Sequence, residues 1–161
     1  MKLKDLKMVF FDFDGVFTDN RVWTDSSGRE MVCCSRSDGM GLSLLRKLGI
    51  PMMILSSEKN PVVRMRARKM KIDCIHGMKS KSQTMQCVCR QKKINLNEVA
   101  FVGNDDNDLL CMEKVGLPVA VADAYPQVKR KAKWVLRTKG GLGAVREFCE
   151  KVYRAKKGTI T

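Results

Sequence analysis

The chain has 161 residues, 44% of them hydrophobic, enough for one compact core and too few for two independent ones. Its 31 Lys and Arg against 17 Asp and Glu give a formal charge of +14, which calls for an anionic partner; aromatics at 6%, with no basic run interleaved among them, argue against a platform for stacking single-stranded nucleic acid. No apolar stretch reaches the roughly 18 to 20 residues that span a bilayer, and MKLKDLK runs into MVFF without a small-residue cleavage site, so an unexported, soluble, cytoplasmic protein is expected.

Met8 to Phe13 reads as a buried strand. Arg21 to Thr24 and Arg29 to Ser35, joined by a turn at Asp25 to Gly28, read as the arms of a hairpin. From Gly39 to Leu48 the residues Met40, Leu44, Leu45 and Leu48 recur at helical spacing, and Gly49 ends the run. Alternation then becomes regular: strand 51–55, helix 61–70, strand 73–76, helix 81–92, strand 98–102, helix 106–115, strands 118–121 and 134–137, and a last helix over 142–155. Short unalternating apolar strands separated by helices predict a doubly wound, Rossmann-like α/β domain, a parallel sheet with helices on both faces. One domain over 1–155 is expected, with the hairpin over about 21–35 as a flap and 156–161 as a loose tail.

Seven cysteines, an odd number and scattered, with only His76 to join them, predict neither a disulfide framework nor a zinc site. Cys87 and Cys89 would point to different faces of a helix. His76 itself reads as a strand-end packing residue, and the Met-rich segments 52–53 and 65–70 as core filler.

The first strand carries a contradiction, since MVFFDFDG places Asp12 and Asp14 in an apolar run where an unpaired carboxylate costs several kcal/mol or must take up a proton. In a doubly wound sheet, ligands bind at the carboxyl ends of the strands. FDFDG, LSSE and VGNDDND all fall at such ends. A divalent cation between the first and third clusters would repay the burial, and oxygen donors without imidazole point to Mg²⁺. Asp12 and Asp14 share a side of extended chain, so one can attack while the other handles a proton.

These motifs resemble those of the haloacid dehalogenase superfamily: DFDGVFTD the first, Ser56 of ILSS the second, Lys81 of MKSKS the third and GNDDND the fourth, spread over essentially the whole chain. The resemblance implies that Asp12 is the nucleophile, forming an aspartyl-phosphate, and that Asp14 is the general acid and base. It implies that Ser56 hydrogen-bonds the transferring phosphoryl group, that Lys81 offsets charge, and that Mg²⁺ is held by Asp12, the carbonyl of Asp14 and the fourth motif. The position after the glycine is usually Asp in this superfamily and here is Asn104, whose amide oxygen can still ligate, with Asp105 or Asp108 to compensate.

There is no room for a cap domain beyond the hairpin. Such a chain is similar to the capless 3-deoxy-D-manno-octulosonate 8-phosphate phosphatases and related 9-phosphate phosphatases, in whose homotetramers a neighbouring subunit covers each site; VGLPVAVADAYP and KGGLGAVREF resemble that group. Glu58, two residues after Ser56, is similar to the variant associated with nine-carbon sialic-type sugars, so a sialic-type 9-phosphate, such as that of KDN or N-acetylneuraminate, is favoured over the eight-carbon 8-phosphate. Gly15 and Ser57 join Glu58 as substrate-binding candidates, with Arg64 and Arg68 at i, i+4 spacing reaching a substrate carboxylate across a subunit interface, and Arg146 after the Gly-Gly-Leu-Gly turn. Two other readings compete: a catalytically weak oligomerisation domain of an acylneuraminate cytidylyltransferase, and a nucleic-acid-binding module resting on charge alone.

Overall fold

The computed structural model describes residues 1–158. Eight strands and six α-helices follow one another in the order predicted, with one added helix. Strand β1 (Met8–Phe11) is followed by the hairpin β2 (Thr18–Thr24) and β3 (Glu30–Cys34), and then by α1 (Ser37–Lys47) and β4 (Met52–Ser56). Next come α2 (Val62–Met70), β5 (Asp73–His76), α3 (Lys81–Gln91), β6 (Val99–Gly103) and α4 (Leu109–Met112). The chain closes with β7 (Leu117–Ala120), α5 (Pro126–Lys131), β8 (Trp134–Val135) and α6 (Ala144–Lys157).

Six strands form a parallel sheet in the order β5-β4-β1-β6-β7-β8, and β2-β3 stands apart as an antiparallel pair. Every residue of β1, β4, β6 and β7 is buried, as an apolar strand covered on both faces must be. Helices α1 and α6 pack on each other, while α3, α4 and α5 make the opposite layer. Phe11 meets Phe17 and Phe148 edge-on at 5.5 and 5.8 Å, and Trp134 stacks on Phe148 at 5.5 Å. Each such buried aromatic stabilises the fold by about 1.5–3 kcal/mol. The chain runs from β1 outward through β4 to β5, then returns to the other side of β1 as β6. This reversal opens a crevice at the carboxyl ends of β1 and β6.

Several boundaries differ from expectation. The segment predicted as one helix over 106–115 is a 3-10 turn at Asp106–Asp108 followed by only four α-helical residues, because Asp105 and Asp108 bond back to main-chain N–H groups and fix a tight turn. Helix α5 was not predicted; it starts with Pro126 at its first turn and buries only Val128, which leaves no periodicity to read. The last helix starts at Ala144, since Gly143 takes φ +103, and it continues through Lys156 and Lys157, which were expected to be loose; residues 159–161 of that expected tail lie outside the described residues. Met52, Met53 and Met70 are core, but Met65 is 60% exposed on the outer face of α2. Cys87 is exposed and Cys89 buried, all seven cysteines are free, and His76 ends β5 with Nδ1 3.2 Å from the Glu58 carbonyl. Among the described residues no helix is long and apolar enough to cross a membrane.

Candidate active site

Strand β1 delivers the first two carboxylates. The Asp12 N–H continues the parallel ladder to the Val102 carbonyl at 2.9 Å, so its side chain leaves the sheet between β1 and β6 and is 4% exposed. Asp14, two residues on in the turn that follows, is half-buried. Between them and the next element the chain must turn sharply: Gly15 has φ +76, and a Cβ there would overlap the Asn104 amide nitrogen. Thr18 fixes the turn by accepting the Gly15 N–H at 3.0 Å and the Asn20 N–H at 3.2 Å. Gly140 and Gly141 press on the same loop, Gly141 donating to the Val16 carbonyl at 3.1 Å, and a Cβ on Gly140 would overlap the Gly15 carbonyl.

Lys81 opens α3, one residue after Ser80, whose side chain caps the helix. Its ammonium, almost wholly buried, lies 2.7 Å from Asp12 Oδ1, 2.8 Å from Asp108 Oδ1 and 3.2 Å from Asn107 Oδ1. Asp108 Oδ2 in turn accepts the N–H groups of Asn104 at 2.9 Å and Asp105 at 3.3 Å. One lysine thus joins the first strand loop to the fourth motif. Ser56, 2% exposed at the end of β4, accepts the Glu58 N–H at 3.1 Å; Ser57 Oγ accepts from Asn107 at 3.4 Å, drawing the second and fourth motifs together.

Electrostatics follow from this burial. Desolvation, then the Asp108 charge, pushes the Asp12 carboxyl up to about 8 against the pull of Lys81. Burial would lower Lys81, but Asp12 and Asp108 outweigh it and hold the ammonium above its usual value. Asp14 is raised by burial and then by the charge of Glu58, with Glu30 of the hairpin adding to it. A carboxyl raised in this way holds its proton more tightly than a free carboxyl, the direction that suits a general acid. Glu30 and Asn60 belong to the site although no motif signals them: Asn60 Nδ2 donates to Glu30 at 3.0 Å and ties the flap to the loop after Ser56.

The metal donors are oxygens. Asn104 Oδ1 is buried with no partner, its amide packed against Gly15 of the loop after β1, so an electropositive ligand is what it lacks. Asp12, Asn104 and a main-chain carbonyl fit Mg²⁺, which accepts a few protein oxygens and keeps waters for the rest. Among the described residues no three His, Cys, Asp or Glu side chains gather to hold an ion, and the amide of Asn104 is not one of those donor types. Of the two residues expected to compensate for Asn104, Asp108 bonds Lys81 and two main-chain N–H groups, and Asp105 accepts the Asp106 N–H at 2.6 Å.

The remaining candidates divide. Glu58 is exposed at the rim and accepts the Asn60 N–H at 2.7 Å. Arg64 and Arg68 lie exposed on α2, in no hydrogen bond or ion pair to their own chain among the described residues. Arg146 is held along α6 by Glu150, and its N–H bonds Asp38 at 3.0 Å, so this chain does not bring it into the Asp12 cluster.

A doubly wound sheet carrying two carboxylates after β1, a serine after β4 and a buried lysine facing the fourth motif defines a phosphoryl-transfer site of the haloacid dehalogenase type. The family model for haloacid dehalogenase-like hydrolases matches residues 53–148, and the chain belongs to that family as a phosphoric monoester hydrolase. It is 33% identical over 150 residues to the 3-deoxy-D-manno-octulosonate 8-phosphate phosphatase KdsC of Escherichia coli K12, covering 92% of this chain and 80% of that one. It is also 31% identical over 156 residues to N-acylneuraminate cytidylyltransferase A of Danio rerio, covering 94% of this chain but spanning only 36% of that protein. Among solved structures, a haloacid dehalogenase family hydrolase from Streptomyces avermitilis superposes with a TM-score of 0.90 at 47% identity, over 93% of this chain and 92% of that one. The 8-phosphate phosphatase of Moraxella catarrhalis, in complex with magnesium ion, phosphate ion and KDO, gives 0.93 at 28% identity, over 98% and 91%. Mg²⁺ is the cofactor of this family's phosphatases.

Proposed function

We propose that this protein hydrolyses the phosphate monoester of an acidic ulosonic sugar, in a reducing cytoplasm, and prefers a sialic-type 9-phosphate to the eight-carbon 8-phosphate. The observation that carries the hydrolysis is the Asp12–Lys81–Asp108 chain at the carboxyl ends of β1 and β6, with Asp14 two residues beyond Asp12. Support for the sugar class comes from the similarity to KdsC over most of both chains. Glu58 beside Ser56 and the likeness to the cytidylyltransferase favour the nine-carbon acid.

In this reading an Asp12 oxygen attacks phosphorus and the bond from phosphorus to the sugar oxygen breaks, while Asp14 gives its proton to that leaving oxygen. Asp14, now a carboxylate, then takes a proton from water as the water oxygen attacks the aspartyl-phosphate, returning Asp12 and free phosphate. Lys81 stays protonated throughout and offsets charge on Asp12 and the phosphoryl group, and the Ser56 hydroxyl donates to a phosphoryl oxygen. Bound Mg²⁺ supplies further cancellation of negative charge.

Phosphate release from a panel containing the eight-carbon 8-phosphate and nine-carbon 9-phosphates, with Mg²⁺ or EDTA, tests the proposal. Turnover needing both metal and Asp12, lost by at least about 10³-fold in Asp12→Asn and fastest on a 9-phosphate, is the expected result. Preference for the 8-phosphate would overturn the sialic assignment alone. Silence across the panel from folded protein at high Mg²⁺ would favour the second reading, a weak or inactive assembly domain, for which Asn104 and the 36% span of the cytidylyltransferase speak.

A further inference from the structure

A second concavity lies away from the crevice above Asp12. A cleft of about 490 Å³ between α1 and α2 is lined by Arg36, Arg46, Arg66, Lys69 and Lys71, with Met40 and Met70 as its apolar wall, and it shares no residue with the catalytic cluster. Five cations line it and no carboxylate does. None of the five belongs to an ion pair among the described residues. On α2, Arg66 and Lys69 are three apart and face α1, whereas Arg64 and Arg68 lie on the opposite side of the helix.

The arrangement is partly built. Arg46 donates to the carbonyls of Met70 and Lys71 at 2.9 Å each, which neutralises the negative end of α2 beneath the cleft. Arg66 uses one terminal nitrogen on the Ser35 carbonyl at 2.9 Å, while its Nε–H is buried with no acceptor. A buried charged donor without an acceptor is costly, and an anion oxygen is the kind of partner it lacks. A volume near 490 Å³ is in the range that holds a nucleotide-sized ligand.

We infer that this cleft binds a small molecule carrying a chain of phosphate groups, such as a nucleoside triphosphate or a short inorganic polyphosphate, at a site separate from the catalytic one. One phosphate cannot reach cations distributed over both helices; a linked run of two or three can. The carbonyl that Arg66 holds, Ser35, is the joint between β3 of the flap and α1, so an occupied cleft also touches the flap's anchor.

Calorimetry in EDTA, with tripolyphosphate, ATP and orthophosphate as probes, tests the inference at two salt concentrations. One tripolyphosphate per chain is expected, bound at least tenfold more tightly than orthophosphate and weakened at higher salt. An Arg36→Ser/Lys69→Ser variant, altering two exposed side chains, should lose at least tenfold in that affinity while keeping its thermal midpoint and phosphatase turnover; Asp12→Asn should bind as the parent does. ATP binding more tightly than tripolyphosphate would identify a nucleotide site, and equal binding a site for the phosphate chain alone. No preference over orthophosphate, affinity untouched by the double substitution, or affinity lost in Asp12→Asn would each overturn the inference.

Discussion

Asn104, whose buried Oδ1 has no partner, is the position that tests the expected metal site most directly. Its main chain is pinned from both sides, its N–H by Asp108 and its carbonyl by the Tyr125 N–H at 2.9 Å, so the side chain is aimed at the crevice whatever its chemistry. Gly15 leaves just enough room for it. Carboxylate and amide have the same shape, so Asn104→Asp changes charge and little else, and Mg²⁺ affinity measured by calorimetry should rise roughly tenfold, about 1.4 kcal/mol. An unchanged affinity would mean that position 104 is not a ligand. Asp12, Asp14 and Lys81 were legible because each is a charged group where the pattern demands apolar residues or a helix start. The Lys81 bond to Asp108, by contrast, joins positions 27 apart, and Glu30 meets Asn60 across 30. No local spacing encodes either contact, so the actual task of Asp108 and the presence of Glu30 at the site came only with the fold.

Helices α1 and α6 pack against each other in a close seam. Gly41 permits it, since a Cβ there would stand 2.7 Å from the Arg146 Cα. Asp38, fully buried at the start of α1, accepts the Arg146 N–H and so satisfies one free donor at the start of α6. Its other oxygen has no partner, and burial lifts its carboxyl from 3.8 to about 6, against the opposing Arg146 N–H and the charge of Arg66. Below pH 3.8 the group is protonated folded or unfolded; above 6 it is ionised in both, and the folded state bears the cost of the buried charge. Stability from this residue therefore falls as pH rises between those values. Asp38→Asn, which keeps an acceptor for Arg146, should match the parent near pH 4 and exceed it by about 3 kcal/mol above pH 6 in urea unfolding. A gain independent of pH would place the effect elsewhere. At this scale the core strands were readable as apolar runs of four or five residues. The short helices α4 and α5 were not, because four to six residues cannot show a period and their limits are set by side-chain caps and a proline.

In the whole molecule, the flap is the part that its own chain leaves unfinished. A two-stranded hairpin is marginal alone, and in β2-β3 the paired residues alternate in side. Val32 packs on the core, and Glu30, on the same face, reaches Asn60 over the site. The opposite face presents Trp23 against Met31, 68% and 63% exposed. An exposed Trp–Met pair on a free hairpin calls for a cover. Arg64 and Arg68 likewise point away from their own crevice, and Arg146 does not reach it. A homotetramer in which flaps pack together and each α2 addresses a neighbour's substrate would satisfy all three, although a charge of +14 per chain opposes assembly and must be screened. Native mass spectrometry at moderate salt should give a tetramer for the parent and smaller species for Trp23→Lys. The same substitution should raise KM for the sugar phosphate at least tenfold and leave the unfolding midpoint of the sheet domain nearly unchanged, because exposed Trp23 is not part of the core. A parent that stays monomeric, or a Trp23→Lys monomer with undiminished KM, would mean that each chain closes its own site and that the arginines of α2 serve another purpose.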